Sequence, residues 1–178
     1  MSGPQPPYAL FVIAQGVNVD YINDSLTRAW KGDFEAAWEL YLATDDYEDA
    51  PKKRSDNELS EGTRAPISTD FKFPFIGKTL EDCAKWLQRA PDEVELNREY
   101  FTALGEHSKE DDTVMLCRIV DSDDAGNVTL QYFPVPTGDA VVEMQTTLGV
   151  KFDEKLQNYQ RQRMQDGKPD RSKGEPYA

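Results

Sequence analysis

The strongest pattern of apolar and polar positions lies near the start of the chain. Residues 8–15 (YALFVIAQ) form an almost continuous apolar run, which is typical of a strand buried on both faces of a sheet. Apolar residues then recur at helical spacing from Val19 through Leu26 to Trp30, and Gly32 marks the predicted end of this helix. The pattern predicts a buried strand followed by a helix that covers it.

Apolar spacing and capping residues predict four further helices. A helix over residues 33–43 would have an aspartate as its N-cap and Trp38 on its apolar face. Thr79 and Asp82 approximate a capping box before the next apolar-periodic segment. A short helix is expected after Asp139, and a last helix would carry apolar residues between positions 152 and 159.

Three segments carry the alternation that is typical of strands. Residues 69–76 (TDFKFPFI) alternate phenylalanine with other residues and predict a half-buried strand at a sheet edge, because proline cannot donate to a ladder. Residues 113–120 and 128–135 are two β-rich runs separated by a polar loop with glycine, which predicts a β-hairpin. Residues 93–104 fit a helix or a short strand equally well.

Two segments are polar and have few apolar anchors. Residues 44–66 are too long for an ordinary connection within one domain, so this insertion is either functional or flexible. Residues 161–178 are polar and mildly basic and are predicted to form a C-terminal tail. The insertion supplies the candidate interaction residues, which are Asp45, Asp46, Glu48, Asp49, Lys52, Lys53 and Arg54.

The order of the predicted elements indicates one α/β domain over residues 1–160, with α+β as the alternative class. Its sheet would be mixed and flanked by helices, and the polar insertion 44–66 would project from it. A chain of 178 residues is long enough to bury a self-sufficient core.

Charge and composition exclude several function classes. The chain has 33 Asp and Glu against 20 Lys and Arg, a formal net charge of −13, one histidine and two cysteines. This disfavours a zinc site, a Ser–His–acid hydrolase and a nucleic-acid-binding surface. No signal peptide or apolar membrane span is visible, so the sequence predicts a cytoplasmic or nuclear protein with no membrane or nucleic-acid partner.

Two short motifs imitate ligand sites. Gly77-Lys78-Thr79 lies between a predicted strand and a helix but lacks the first glycine of a phosphate loop, so a turn with Thr79 as N-cap is favoured. The loop that contains Asp121, Asp123 and Asp124 resembles the start of a calcium loop, but Ala125 and Tyr132 stand where ligands are needed. These three aspartates are weak metal candidates, and the sequence predicts no catalytic residue and no cofactor.

The second half of the chain resembles a family of small uncharacterised α/β domains found in bacteria and filamentous fungi. The resemblance is carried by STDFKFPFIG, REYFTAL followed by DDTVMLCRIV, and VVEMQTTLGVKFDEKL, over residues 67–160. It implies an α/β fold and contributes no site residue, and the 44–66 insertion departs from the family pattern.

The leading hypothesis is a non-enzymatic, acidic protein-interaction or regulatory module. Its partner would be a protein with a basic surface, or a second copy that binds through the basic tail. Residues 1–50 hold nine acids against two bases, and residues 155–178 hold six bases against three acids, so the two ends should meet within one molecule or join two. The alternatives are a small enzyme or ligand-binding protein with carboxylates in a pocket, and an inhibitor that imitates nucleic acid.

Overall fold

The fold is organised around a five-stranded mixed sheet. A computed structural model of the chain describes residues 5–33, 37–56, 58, 60–146 and 150–173. In spatial order the strands are β2 (Leu40–Leu42), β1 (Tyr8–Val12), β3 (Tyr100–Leu104), β4 (Thr113–Ser122) and β5 (Val128–Pro136). β1 pairs in parallel with both β2 and β3, and β4 and β5 continue the sheet as an antiparallel hairpin.

The described helices lie on both faces of the sheet, as the alternation of its side chains requires. They are α1 (Val19–Gly32), α2 (Leu80–Arg89), α3 (Ser108–Asp111), α4 (Ala140–Thr146) and α5 (Val150–Asp166), with a 3-10 turn at Thr137–Asp139. Tyr8, Leu10 and Val12 of β1 pack with α1, α4 and α5 in one core. Ala9 and Phe11 point to the opposite face and pack with α2 in a second core.

The predicted fold class is confirmed, and the elements with strong local signals lie where the sequence places them. All five residues of β1 are buried, as expected of a strand covered on both faces. Helix α1 ends at Gly32, and the capping box of Thr79 and Asp82 begins α2. The hairpin β4–β5 forms, and the ambiguous segment 93–104 contains strand β3.

The predicted helix over residues 33–43 is wrong. Leu40–Leu42 instead form β2, which pairs with β1 from Tyr8 to Leu10. All three residues of β2 are buried, whereas a surface helix would bury only the residues along one of its faces. Pairing with β1 therefore determines the structure of this segment, in spite of its helical spacing of apolar residues. Trp38 lies outside any helix and stacks on Trp30 of α1, with ring centroids 5.3 Å apart. Residues 34–36 of the predicted helix lie outside the described residues.

The predicted edge strand over residues 69–76 is also wrong, because the segment folds as consecutive turns with local hydrogen bonds. The N–H of Phe71 donates to the Ser68 carbonyl oxygen (3.1 Å), and that of Lys78 donates to the Phe75 carbonyl oxygen (2.9 Å). The phenylalanine rings are shared between the cores, with Phe71 and Phe73 on the first and Phe75 in the second. The alternation therefore reflects a chain that contributes to both cores.

The C-terminal helix is longer than the sequence suggests. α5 continues to Asp166 and so includes the first residues of the segment predicted as a tail. The following segment returns to the domain, where Arg171 forms an ion pair with Asp111 of α3. A base of the C-terminal region therefore meets an acid within one molecule, but that acid lies on α3 and not near the N-terminus. Among the described helices, none has the length and apolar character needed to cross a lipid bilayer.

Candidate functional site

The most distinctive charged feature is a turn directly after β2, residues 45–49, which we call the acidic turn. It carries the side chains of Asp45, Asp46, Glu48 and Asp49, all exposed, around a half-buried Tyr47. It lies at the carboxyl edge of the parallel strands, where α/β sheets commonly bind their ligands.

Aromatic contacts with α2 hold the acidic turn in place. The Tyr47 ring lies 4.6 Å from the Trp86 ring, and the Tyr47 hydroxyl donates to the Trp86 carbonyl oxygen (2.6 Å). In return, Nε1 of Trp86 donates to the Asp45 carbonyl oxygen (3.3 Å). Burial of the Tyr47 ring raises the pKa of its hydroxyl, so this donor stays protonated at neutral pH. The turn is therefore a preorganised surface.

The ammonium group of Lys52 supports the same turn from within. Nζ donates to the carbonyl oxygens of Tyr47, Glu48 (3.2 Å) and Ala50 (3.1 Å). The chain beyond the turn is tied to the segment before β3, because the N–H of Glu95 donates to the Pro51 carbonyl oxygen (2.7 Å). The insertion is thus anchored at its start.

The Lys52 ammonium contacts backbone carbonyl oxygens of the acidic turn, not its carboxylates. Within the described residues, none of the four carboxylates forms an ion pair. The other predicted interaction residues behave differently: Lys52 points into the turn, and Arg54 pairs with Asp56 (2.6 Å) and Glu58 (3.6 Å). Lys53 is exposed and lines a separate cleft. The structure therefore separates the seven candidates, and only the four acids form one free surface.

A polar network that the sequence did not reveal lies where α1 meets the start of β4. Arg28 makes two hydrogen bonds of 2.7 Å with Asp112 and also contacts Asp24 (2.9 Å). The Tyr21 hydroxyl lies 2.9 Å from both Asp112 Oδ1 and Thr137 Oγ1. Apart from the Arg28–Asp24 contact, these partners are 84 to 116 residues apart in sequence, so no local pattern could have identified them. The network fastens α1 to the sheet.

Asp112 makes the stability of this network depend on pH. The Arg28 guanidinium holds the pKa of the Asp112 carboxyl below its ordinary value of 3.8. A depressed pKa in the folded state means that the stabilisation is complete above pH 4–5 and is lost as the pH falls through the folded value. We expect Asp112→Asn to be less stable than the wild type at pH 7, with the difference shrinking toward pH 3.

The measurement is urea unfolding of both proteins between pH 7 and pH 3. Asparagine tolerates the left-handed backbone of Asp112 (φ 55°), so this variant isolates the charge from backbone strain. A difference in unfolding free energy that stays constant over this range would contradict the expectation.

The two motifs that resemble a phosphate loop and a calcium loop have structural roles in the fold. Gly77 has a positive φ of 82° in the turn before α2, and Thr79 caps that helix. Asp123 accepts hydrogen bonds from the backbone and side-chain nitrogens of Asn127 (2.8 and 2.9 Å) and closes the β4–β5 loop. No group of three or more potential metal ligands occurs in the described part of the chain, so Asp121, Asp123 and Asp124 do not converge as a metal site there.

Both cysteines are free and belong to the second core. Cys83 of α2 and Cys117 of β4 are buried, and burial raises the pKa of each thiol. A raised pKa keeps the thiol in its less nucleophilic protonated form. The two residues therefore serve as small apolar side chains in the packing of α2 on the sheet.

The surface clefts that described residues border differ in their lining. One of about 520 Å³ lies beside Lys53 and Arg98, and one of about 270 Å³ lies between the acidic turn and Phe71. The third, of about 550 Å³, lies between the end of α5 and the ends of the hairpin strands, and it includes Arg163, Lys168 and Arg171. The alternative hypothesis expected carboxylates in a pocket. The first two clefts include carboxylates beside other residues, and the last combines three cations with one carboxylate, that of Asp111.

Comparison with known protein families, with curated proteins and with solved structures finds no match to this chain. The resemblance to small α/β domains therefore stays a prediction. The case for function rests on the surfaces described above.

Proposed function

We propose that this chain is a non-enzymatic protein-interaction module that docks on a basic surface of a partner protein through its acidic turn. The observation that carries the proposal is the combination of a rigid backbone support with four exposed carboxylates that form no ion pair with any described residue. A preorganised surface loses less conformational entropy when it binds, so more of the interaction energy appears as affinity.

Elsewhere on the same protein, many carboxylates have a nearby cation. Asp153 pairs with Arg118 (2.7 Å), Glu143 pairs with Lys155 (2.5 Å), and Asp112 pairs with Arg28 (2.7 Å). Four like charges within five residues repel one another, and repulsion between exposed charges is only partly screened at physiological salt. Their retention on a fixed turn is understandable if a cationic partner supplies the missing charge.

The test is a neutral-turn variant, Asp45→Asn, Asp46→Asn, Glu48→Gln and Asp49→Asn. We expect this protein to fold with unchanged or slightly higher stability at low salt, because like-charge repulsion is relieved. A lysine-rich peptide should bind the wild type with an affinity that falls as salt rises, and the variant should bind it at least about tenfold more weakly. Isothermal titration at two salt concentrations measures both effects.

A scattered-charge variant provides the matched control. Glu106→Gln, Glu110→Gln, Asp121→Asn and Asp124→Asn remove the same number of exposed acids from other parts of the surface. This control should bind the peptide within about twofold of the wild type. An equal loss in both variants would show that net charge alone attracts the peptide, and a wild type that does not bind would refute the proposal. Affinity purification from the native host, with the same three proteins, then identifies the partner.

A further inference from the structure

The cleft of about 550 Å³ at the end of α5 differs in chemistry from the rest of this acidic protein. We call it the basic cleft and define it by Arg163, Lys168 and Arg171, with Tyr159, Pro134 and Pro136 as walls. Its volume lies within the range of small-molecule sites and exceeds what a simple inorganic ion needs.

The arginines of the basic cleft are held in fixed positions. The Arg163 guanidinium lies over the Tyr159 ring, 5.2 Å from its centroid, and forms an ion pair with Asp166 (2.8 Å). Arg171 forms an ion pair with Asp111, and its backbone N–H donates to the Tyr159 hydroxyl oxygen (3.2 Å). Tyr159 thus organises both arginines, and both are less than a quarter exposed.

Donor capacity in the basic cleft remains unused. Nε of Arg163 is buried without a hydrogen-bond partner among the described residues, although each guanidinium has five N–H donors. Lys168 is exposed, and within the described part of the chain its ammonium has no ion-pair partner. Asp166 and Asp111 balance the two arginines, and Lys173 balances Asp170 (3.8 Å) beside Tyr159, so Lys168 supplies the net positive charge, and the arginines supply directed donors.

We propose that the basic cleft binds a small organic anion, with a carboxylate or phosphate head group at Lys168 and the arginines and an apolar body against Tyr159 and the prolines. Guanidinium groups match the geometry of both head groups, and an ammonium adds a compact charge. The aromatic ring and the two prolines give the cleft the mixed apolar and polar lining of ligand sites. This binding site is separate from the acidic turn.

The probes that test this site are benzoate, phenyl phosphate and inorganic phosphate, with benzyl alcohol as the uncharged control. Titration followed by NMR chemical shifts should show benzoate or phenyl phosphate binding at the basic cleft and no binding of benzyl alcohol. The stronger of the two identifies the head group. Inorganic phosphate that binds as tightly as phenyl phosphate would overturn the assignment of an apolar body.

Lys168→Gln should weaken binding of the better probe about tenfold, since it removes the net charge of the cleft. Lys151→Gln is the matched control, because Lys151 is an exposed lysine at the opposite end of α5. Equal affinities of the wild type and Lys168→Gln, or no binding of either anion in the millimolar range, would overturn the proposal.

The neutral-turn variant should bind the anion as the wild type does, which keeps this result independent of the acidic turn. Dimerisation that is lost in both Lys168→Gln and the neutral-turn variant would also overturn the assignment, because the acidic turn of a second copy would then be the occupant of the cleft.

Discussion

Arg98→Met is expected to lower the free energy of unfolding by about 3 kcal/mol. Nη1 of Arg98 donates to the carbonyl oxygens of Leu87 and Ala90 (both 2.9 Å), and Nη2 donates to those of Pro91 (2.8 Å) and Val94 (3.0 Å). One guanidinium thus satisfies carbonyl groups at and beyond the end of α2, where a helix lacks backbone partners. A hydrogen bond with a charged donor contributes about 1.5–3 kcal/mol, and bonds from one group do not add fully.

Two variants sharpen this prediction, and urea unfolding measures them. Arg98→Lys keeps the charge, but its ammonium cannot span four carbonyls, so it should recover less than half of the loss. Arg89→Met removes an exposed arginine from the last turn of α2 and should change stability by less than about 0.5 kcal/mol. Equal effects of Arg98→Met and Arg89→Met would contradict the assigned role.

The contacts of Arg98 also reach the acidic turn. Val94 accepts a hydrogen bond from Arg98 and forms a β-bridge with Lys52, whose ammonium holds the turn from within. The N–H of Lys53 donates to the Glu93 carbonyl oxygen (2.9 Å) beside this bridge. Loss of Arg98 should therefore loosen the support of the proposed interaction surface, and hydrogen exchange at Lys53 and Glu95 would report it.

The elements that could be predicted from the sequence are those whose signal is local. The apolar run of β1, the capping box of α2 and the polar loop of the hairpin each act within about ten residues, and each was placed correctly. β2 was missed because a three-residue strand is stabilised by its pairing with β1 and by burial, which leaves no periodic pattern. The apolar spacing around these residues therefore also fits a helix.

The candidate sites also differ in how much of each can be predicted from local sequence. The acidic turn was visible as a run of charge, but the sequence could not distinguish its four free carboxylates from Lys52, which folds beneath them. The basic cleft forms because the chain after α5 returns to the domain and Arg171 pairs with Asp111 of α3. Arg98 acquires its role because the folded chain around the end of α2 presents four carbonyl oxygens to it. Such sites depend on tertiary geometry, and charge or hydropathy patterns do not encode them.

Gly62→Ala is the second substitution with a large expected effect, because the chain at Gly62 crosses the edge of β2 in close contact. The N–H of Gly62 donates to the Trp38 carbonyl oxygen (2.5 Å), and that of Thr63 donates to the Leu40 carbonyl oxygen (2.8 Å). A Cβ at Gly62 would lie 2.4 Å from the Leu40 oxygen and 2.9 Å from the Trp38 oxygen. These are backbone atoms that cannot turn away, so we expect a loss of about 2–4 kcal/mol.

Gly16→Ala is the matched control, because a Cβ there would meet no atom of the described residues within 4 Å. It should leave stability unchanged or raise it slightly, since alanine restricts the unfolded chain. In Gly62→Ala the amide of Leu42, which donates to Thr63 Oγ1 (2.8 Å), should exchange faster, because the segment that covers it is displaced. An uncovered edge strand exposes unpaired backbone groups, so this variant should also associate as its concentration rises. If the Leu42 amide of this variant exchanges at the wild-type rate, the edge of β2 tolerates the methyl group, and the close contact at Gly62 contributes little to the free energy of unfolding.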